Sequence, residues 1–232
     1  MADAVPHPAP PAADGPFLGV LMLQTRFPRL PGDVGHPATF TMPVRRRIVA
    51  GATPQRVVRE ADPALLAPFV AAARELVAEG AAAITTSCGF LARWQHELQA
   101  VLPVPVWTSS LLALQVLPRP GVITVDAAAL DAAVLRGAGA DPSTPVQGLD
   151  PASALVHTLL EDREDLDAAA AEATVLAAAA ALLARVPGLQ SLVLECTNLP
   201  PYAAALRRAT GLPVHHLPSL VEARWSALGL RR

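Results

Sequence analysis

Cys88 and Cys196 are the two cysteines of the chain, and each ends a similar stretch: Ala81-Ala82-Ala83-Ile84-Thr85-Thr86-Ser87-Cys88-Gly89 and Gln190-Ser191-Leu192-Val193-Leu194-Glu195-Cys196-Thr197. Each is a short apolar run, then small polar residues, then a helix-like segment. That is how a buried parallel strand feeds the loop that opens a helix. A thiolate is both a base and a nucleophile, and its reference pKa of about 8.5 falls near a helix N-terminus, where free N–H groups favour negative charge. Each cysteine is therefore expected to exchange a proton at neutral pH, one as thiolate and one as thiol. A carbon held about 3 to 3.5 Å from each sulfur could lose its proton on one face and regain one on the other. That inverts a stereocentre without a cofactor. The carbanion needs preorganised donors for the charge on its carboxylate or carbonyl. Backbone N–H groups of Gly89, Phe90, Thr197 and Asn198, at helix starts, suit that task. Two other readings stay open here: a structural disulfide, or two small core residues.

Other side chains could join them. Arg26 is a candidate carboxylate clamp, because a guanidinium binds such a group bidentately. Ser87, Thr85 and Thr86 can point hydroxyls into a cleft, though strand alternation lets only some do so. Glu195 and Asp126 could orient a thiol or bind an amine, or act as caps or salt-bridge residues, and Asp126 before Ala127 has the look of an N-cap. His215-His216 is a poor metal pair, since adjacent strand residues point apart and no third ligand is evident. No metal site is expected.

The elements that must position these residues recur. Residues 16–23 read as an apolar strand, followed by a Pro/Gly-rich loop from Gln24 to Pro43 that holds Arg26, Asp33, His36 and Thr39, long enough to suggest function. A strand at 44–49, a helix from Asp62-Pro63 to about Glu79, the Cys88 strand, a helix at about 91–101 and a strand at 104–107 follow. Residues 120–125 start the pattern again, with a helix at about 127–136, a strand at 144–148, helices at about 151–161 and 166–185, the Cys196 strand, a helix at about 200–209 and a strand around Val214. Cys88 precedes Pro105-Val106 by 17 residues and Cys196 precedes Pro213-Val214 by 17, with 108 residues between the cysteines. Strands alternating with helices imply parallel sheets. A repeated half implies an α/β protein of two lobes related by a pseudo-twofold axis. Ligands of open parallel sheets lie beyond the carboxyl ends of the strands, so inward-facing ends would bring both cysteines to one cleft. The expected division is a disordered Pro/Ala tail at 1–15, a first lobe of 16–103 plus 212–232, and a second lobe of 104–211.

Composition excludes several classes. The chain has 232 residues, 52 % of them hydrophobic, enough for a buried core. It contains no lysine, so a Schiff-base or pyridoxal-phosphate catalyst and a Walker-A loop are ruled out. A net charge of −2 without a basic stripe argues against nucleic acid as a partner. No apolar run approaches a membrane span, and residues 1–15 lack the basic start and apolar core of a signal peptide. The expected compartment is the cytoplasm, where two thiols stay reduced.

The motifs Ile84-Thr85-Thr86-Ser87-Cys88 and Leu194-Glu195-Cys196-Thr197-Asn198, with Gly19-Val20-Leu21-Met22-Leu23 and Gly121-Val122-Ile123-Thr124-Val125, resemble the cofactor-independent aspartate/glutamate/hydantoin racemase superfamily. The resemblance spans nearly the whole chain after residue 15. It implies two Rossmann-like lobes with the active site between them, two-base proton transfer by Cys88 and Cys196, no cofactor, and a homodimer. It also implies substrate binding by Gln24, Thr25, Arg26, Gly89, Phe90, Thr197 and Asn198, to which the reading of the strand residues adds Ser87. Glutamate racemases usually carry Asn-Thr where this chain has Gly89-Phe90, and a His where it has Asn198, so glutamate is not the leading substrate. The reading is a racemase or epimerase of an amino acid, a related carboxylate or a hydantoin. Its alternatives are a one-cysteine decarboxylase or cis-trans isomerase of a small dicarboxylic acid, and a non-catalytic binding module.

Overall fold

The computed structural model describes residues 15–230, so all of the expected tail except Gly15 lies outside the described residues. Among the described residues, eight strands form two all-parallel sheets. The first contains β1 (Phe17–Met22), β2 (Val44–Ile48), β3 (Ala81–Thr86) and β4 (Val106–Trp107) in the order β2-β1-β3-β4. The second contains β5 (Pro120–Thr124), β6 (Val146–Gly148), β7 (Ser191–Leu194) and β8 (Val214–His216) in the order β6-β5-β7-β8. The same order in each half is the duplication seen at fold level. Central strands β1, β3 and β7 are buried along nearly all of their length, as strands of a parallel sheet covered on both faces are.

Sheet membership moves the expected lobe boundary. Residues 106–107 belong to the first sheet and 214–216 to the second, so neither Pro-Val strand crosses to the other lobe. The crossovers from β3 to β4 and from β7 to β8 each return the chain beside the strand it left.

Among the described residues seven α-helices flank the sheets: α1 (Leu66–Ala78), α2 (Gln95–Val101), α3 (Ala132–Gly137), α4 (Ala154–Leu160), α5 (Ala168–Arg185), α6 (Ala203–Thr210) and α7 (Leu217–Ala227). A matched pair of glycines seats the long ones. A Cβ on Gly19 of β1 would stand 3.1 Å from Leu76 of α1 and 2.7 Å from Ile84, and one on Gly121 of β5 would stand 2.9 Å from Leu182 of α5. Glycine at the second or third position of each lobe's first strand lets the helix press onto the sheet.

The structure revises four expectations. The helix expected at 127–136 begins only at Ala132, because Asp131 caps it through Ala133 N–H and Val134 N–H, while Asp126 accepts from Ala128 N–H and Ala129 N–H and closes a separate turn. The segments after both cysteines start as 3₁₀ turns, Gly89–Trp94 and Pro200–Tyr202, before α2 and α6. Helix α7 was not expected. Its cap is His216, whose Nδ1 accepts from Ser219 N–H, with Pro218 in the first turn. Helix α5, rich in alanine, is long and apolar enough by length and composition to cross a membrane, contrary to the reading of the sequence. Its Ala171, Val175, Ala178, Ala179 and Leu182 are buried in this fold.

The lobes share one hydrophobic core and are tied by polar bonds at the strand ends. Thr197 Oγ1 donates to the Ser87 carbonyl at 2.6 Å, Ser110 Oγ to the Leu194 carbonyl at 2.6 Å, and Asn198 Nδ2 to Asp33 Oδ2 at 2.5 Å.

Candidate active site

Cys88 stands two residues past the end of β3 and Cys196 two past the end of β7, at matching places in the two sheets. Both are buried free thiols and both line one narrow cavity between the lobes. The disulfide alternative is thereby removed. Ser87 is held by its backbone and side chain: its N–H donates to the Leu21 carbonyl and its Oγ accepts from Leu23 N–H, each at 2.9 Å. Thr86 Oγ1 lies 2.7 Å from the Thr108 carbonyl and accepts from Cys88 N–H at 3.4 Å. Thus β1 and β4, the neighbours of β3, fix the loop that presents Cys88.

On the opposite wall the Cys196 thiol donates to Asn198 Oδ1 at 3.5 Å. Asn198 Nδ2 donates to Asp33, which also accepts from Arg29 Nη1 at 2.7 Å, and Arg29 Nη2 donates to Thr25 Oγ1 at 2.9 Å. The guanidinium of Arg29 stacks 4.7 Å over the Phe27 ring. The long loop after β1 thus reaches across to the second lobe and fixes the amide that receives the Cys196 proton.

The structure sorts the expected binding residues. Ser87, Gly89, Phe90, Thr197 and Asn198 line the cavity with the two cysteines. Thr25 stands behind Arg29 and does not line it. Gln24 turns away, its Oε1 accepting from Gly51 N–H at 2.8 Å. Arg26 is not the clamp: 69 % of its side chain is exposed, paired with Asp162 and Glu164 at 3.2 Å each. The cavity arginine is Arg29, only 13 % exposed, three residues further along the same loop. Both arginines occupy the loop flagged as functional, and only the path of its backbone distinguishes them. His36 Nδ1 accepts from Ala38 N–H, a loop contact. Apolar walls from Phe27, Val58, Leu159 and Leu160 come from segments with no motif of their own.

The electrostatics reverse another expectation. Burial pushes the Cys88 thiol up to about 12, with the nearby Glu195 as the second cause, outweighing the N–H of Phe90 and the more distant Arg93 and Arg29. Cys196 is raised well above the ordinary thiol range for the same two leading reasons. A 3₁₀ turn of six residues offers a weak dipole against full desolvation, so the helix start does not prevail. Glu195 itself is completely buried and is pushed up to about 8 by desolvation, against one hydrogen bond from Thr124 Oγ1 at 2.7 Å.

No family model matches the chain. Among curated proteins, it is 31 % identical over 236 residues to dimethylsulfoniopropionate lyase 7 of Emiliania huxleyi, covering 89 % of this chain and 68 % of that one. It is also 31 % identical over 212 residues to the dimethylsulfoniopropionate lyase of Durusdinium sp. clade D, covering 85 % and 70 %. Some relatives are longer, and this chain spans 57 % of dimethylsulfoniopropionate lyase 3 of Emiliania huxleyi. Among solved structures, aspartate racemase of Picrophilus torridus superposes with a TM-score of 0.59 at 15 % identity, over 94 % of this chain and 96 % of that one. Arylmalonate decarboxylase does so with a TM-score of 0.57 at 16 % identity, over 93 % and 92 %. The chain belongs to the family of the dimethylsulfoniopropionate lyases, an enzyme family, and has the fold of the aspartate/glutamate racemase superfamily that its motifs resemble.

Proposed function

We propose that this protein is a lyase that removes the proton α to a carboxylate and expels dimethyl sulfide from the β carbon of dimethylsulfoniopropionate or a close analogue. The observation that carries the reading is the pair of free thiols on opposite lobes lining one cavity. One cysteine thiolate takes the α proton. The C–H electron pair becomes the Cα=Cβ bond, the Cβ–S bond breaks, and its electrons leave with sulfur, giving acrylate and neutral dimethyl sulfide. The proton stays on the cysteine and then passes to water.

The physics of the cavity favours a cationic substrate. Both thiols are raised by burial, and an entering sulfonium supplies the positive charge that stabilises a thiolate in low dielectric. Phe27, Phe90, Leu159 and Leu160 offer aromatic and aliphatic surface to its methyl groups. Arg29 keeps N–H donors beyond those given to Asp33 and Thr25, and these can meet the substrate carboxylate.

The presence of two thiols also supports a second reading, racemisation or epimerisation of a carboxylate by transfer from one sulfur to the other. The two share their first step and differ in the leaving group. The test is incubation with dimethylsulfoniopropionate in D2O, reading dimethyl sulfide by gas chromatography and acrylate by NMR, beside a panel of amino acids, hydantoins and malonates. Dimethyl sulfide release that is lost in Cys88→Ala or Cys196→Ala supports the lyase. Loss of optical activity with α-deuterium uptake and no elimination moves the assignment to a racemase, and CO2 release moves it to a decarboxylase.

A further inference from the structure

Glu195 is the one carboxyl in the cavity wall, and the α-proton chemistry above does not use it. It is peptide-bonded to Cys196, and its carboxyl packs so closely on Gly89, the residue after Cys88, that a Cβ there would collide with it. The group is therefore wedged between the segments carrying the two thiols. It is fully buried; Oε2 accepts from Thr124 Oγ1, and Oε1 has no hydrogen-bond partner among the described residues. No basic side chain among them pairs with it. The cations that act on Cys88, Arg93 and Arg29, face Asp131 at 3.9 Å and Asp33 at 2.7 Å respectively.

A buried carboxylate without a cation is costly, and a second negative charge beside it is costlier still, because like charges in a low dielectric do not ionise together. The geometry points to Glu195 as the proton switch of the thiol pair: protonated, it leaves the cavity able to hold one thiolate, and ionised, it holds both sulfurs in the thiol form. Glu195 thus acts through Cys88 and Cys196, a positioning residue for charge. This inference deepens the thiol chemistry proposed above and rests on it only for its meaning in turnover. The direction agrees with the causes of the cysteine shifts, where Glu195 stands second for both sulfurs.

The test reads the thiols directly. Thiolate absorbance in the ultraviolet is titrated with pH in the wild type, Glu195→Gln and Thr124→Val, and the carboxylic-acid C=O band is followed by difference infrared spectroscopy. In the wild type that band disappears as pH rises through about 8. In Glu195→Gln thiolate forms at a pH lower by one unit or more, about tenfold more thiolate at a given alkaline pH. In Thr124→Val, which loses the one hydrogen bond that lowers the carboxyl, the band persists to higher pH. Where turnover is measurable, its alkaline limb moves with the band and flattens in Glu195→Gln. Superimposed thiolate titrations of the wild type and Glu195→Gln, or a carboxyl already ionised at pH 6, overturn the switch. A protein inactive on every substrate tested would end the proposed function, and the titrations would still decide the switch.

Discussion

Two arginines three residues apart divide the work of the loop after β1. Arg26 lies in solvent against Asp162 and Glu164, and exposed ion pairs contribute about 0 to 1 kcal/mol. Arg29 lies in the cavity wall, bonded to Asp33 and stacked on Phe27. Arg26→Ala is expected to leave kcat/KM within about twofold. Arg29→Ala is expected to lower it about a hundredfold, because it removes a carboxylate partner and leaves the buried Asp33 charge uncompensated, a loss of about 3 kcal/mol. Steady-state kinetics of both variants side by side decide this, and equal losses would remove Arg29 from the substrate site. The identity of the cysteines was legible in the sequence; the choice between the arginines was not, because it depends on where a Pro/Gly-rich loop turns. The protonation of the thiols was not legible either. The dipole rule applied to a helix start, but the cysteines stand where desolvation is complete.

Among the elements, the start of the Gly89–Trp94 turn is the tightest. Gly89→Ala drives a methyl into the Glu195 carboxyl and backbone, a fixed wall. The expected cost is about 1 to 3 kcal/mol of stability with displacement of Cys88, read by urea denaturation together with activity. Helix α7 offers an independent check through its unusual cap. His216 is pushed down to about 4, chiefly by burial and then by Arg207 and His215, so it stays neutral and its Nδ1 can accept from Ser219 N–H. In the unfolded chain a histidine titrates near 6.5. The folded value is depressed, so stability present above pH 6.5 is lost as pH falls through about 4. His216→Asn keeps a capping acceptor without the titration. Its unfolding free energy, measured by urea denaturation, is expected to decline less than that of the wild type between pH 6.5 and 4, by about 2 kcal/mol. A parallel decline would show that the cap does not carry this acid sensitivity. The strands were readable from apolar runs; their order in the sheets and the helix caps were not, because pairing is a long-range contact and Asp126 and Asp131 fit a helix start equally well by residue type. A histidine cap carries no sequence signature.

At the scale of the whole molecule, the site exists only where the lobes meet. Thr197 Oγ1 donates to the Ser87 carbonyl across that junction, both groups buried. Thr197→Val keeps the shape and orphans the carbonyl, an expected cost of about 1 to 3 kcal/mol. Urea denaturation measures the stability, and activity should fall with it because the two cysteine loops lose a shared tether. Unchanged stability would mean that this bond does not tie the lobes. One continuous hydrophobic core joins the two sheets, which repeat the same strand order.

What the sequence alone determined is the part carried by local and periodic patterns. Buried parallel strands must be apolar, a repeated strand-cysteine-helix-strand unit must fold the same way twice, and the absence of lysine excludes a whole class of chemistry. What the tertiary structure decided is everything that depends on groups brought together from distant positions. Sheet membership of β4 and β8, the entry of Arg29 in place of Arg26, the seating of Glu195 beside Gly89 and the upward shift of both thiols arise from desolvation and contact. Neither desolvation nor contact across more than a hundred residues has a signature in local spacing.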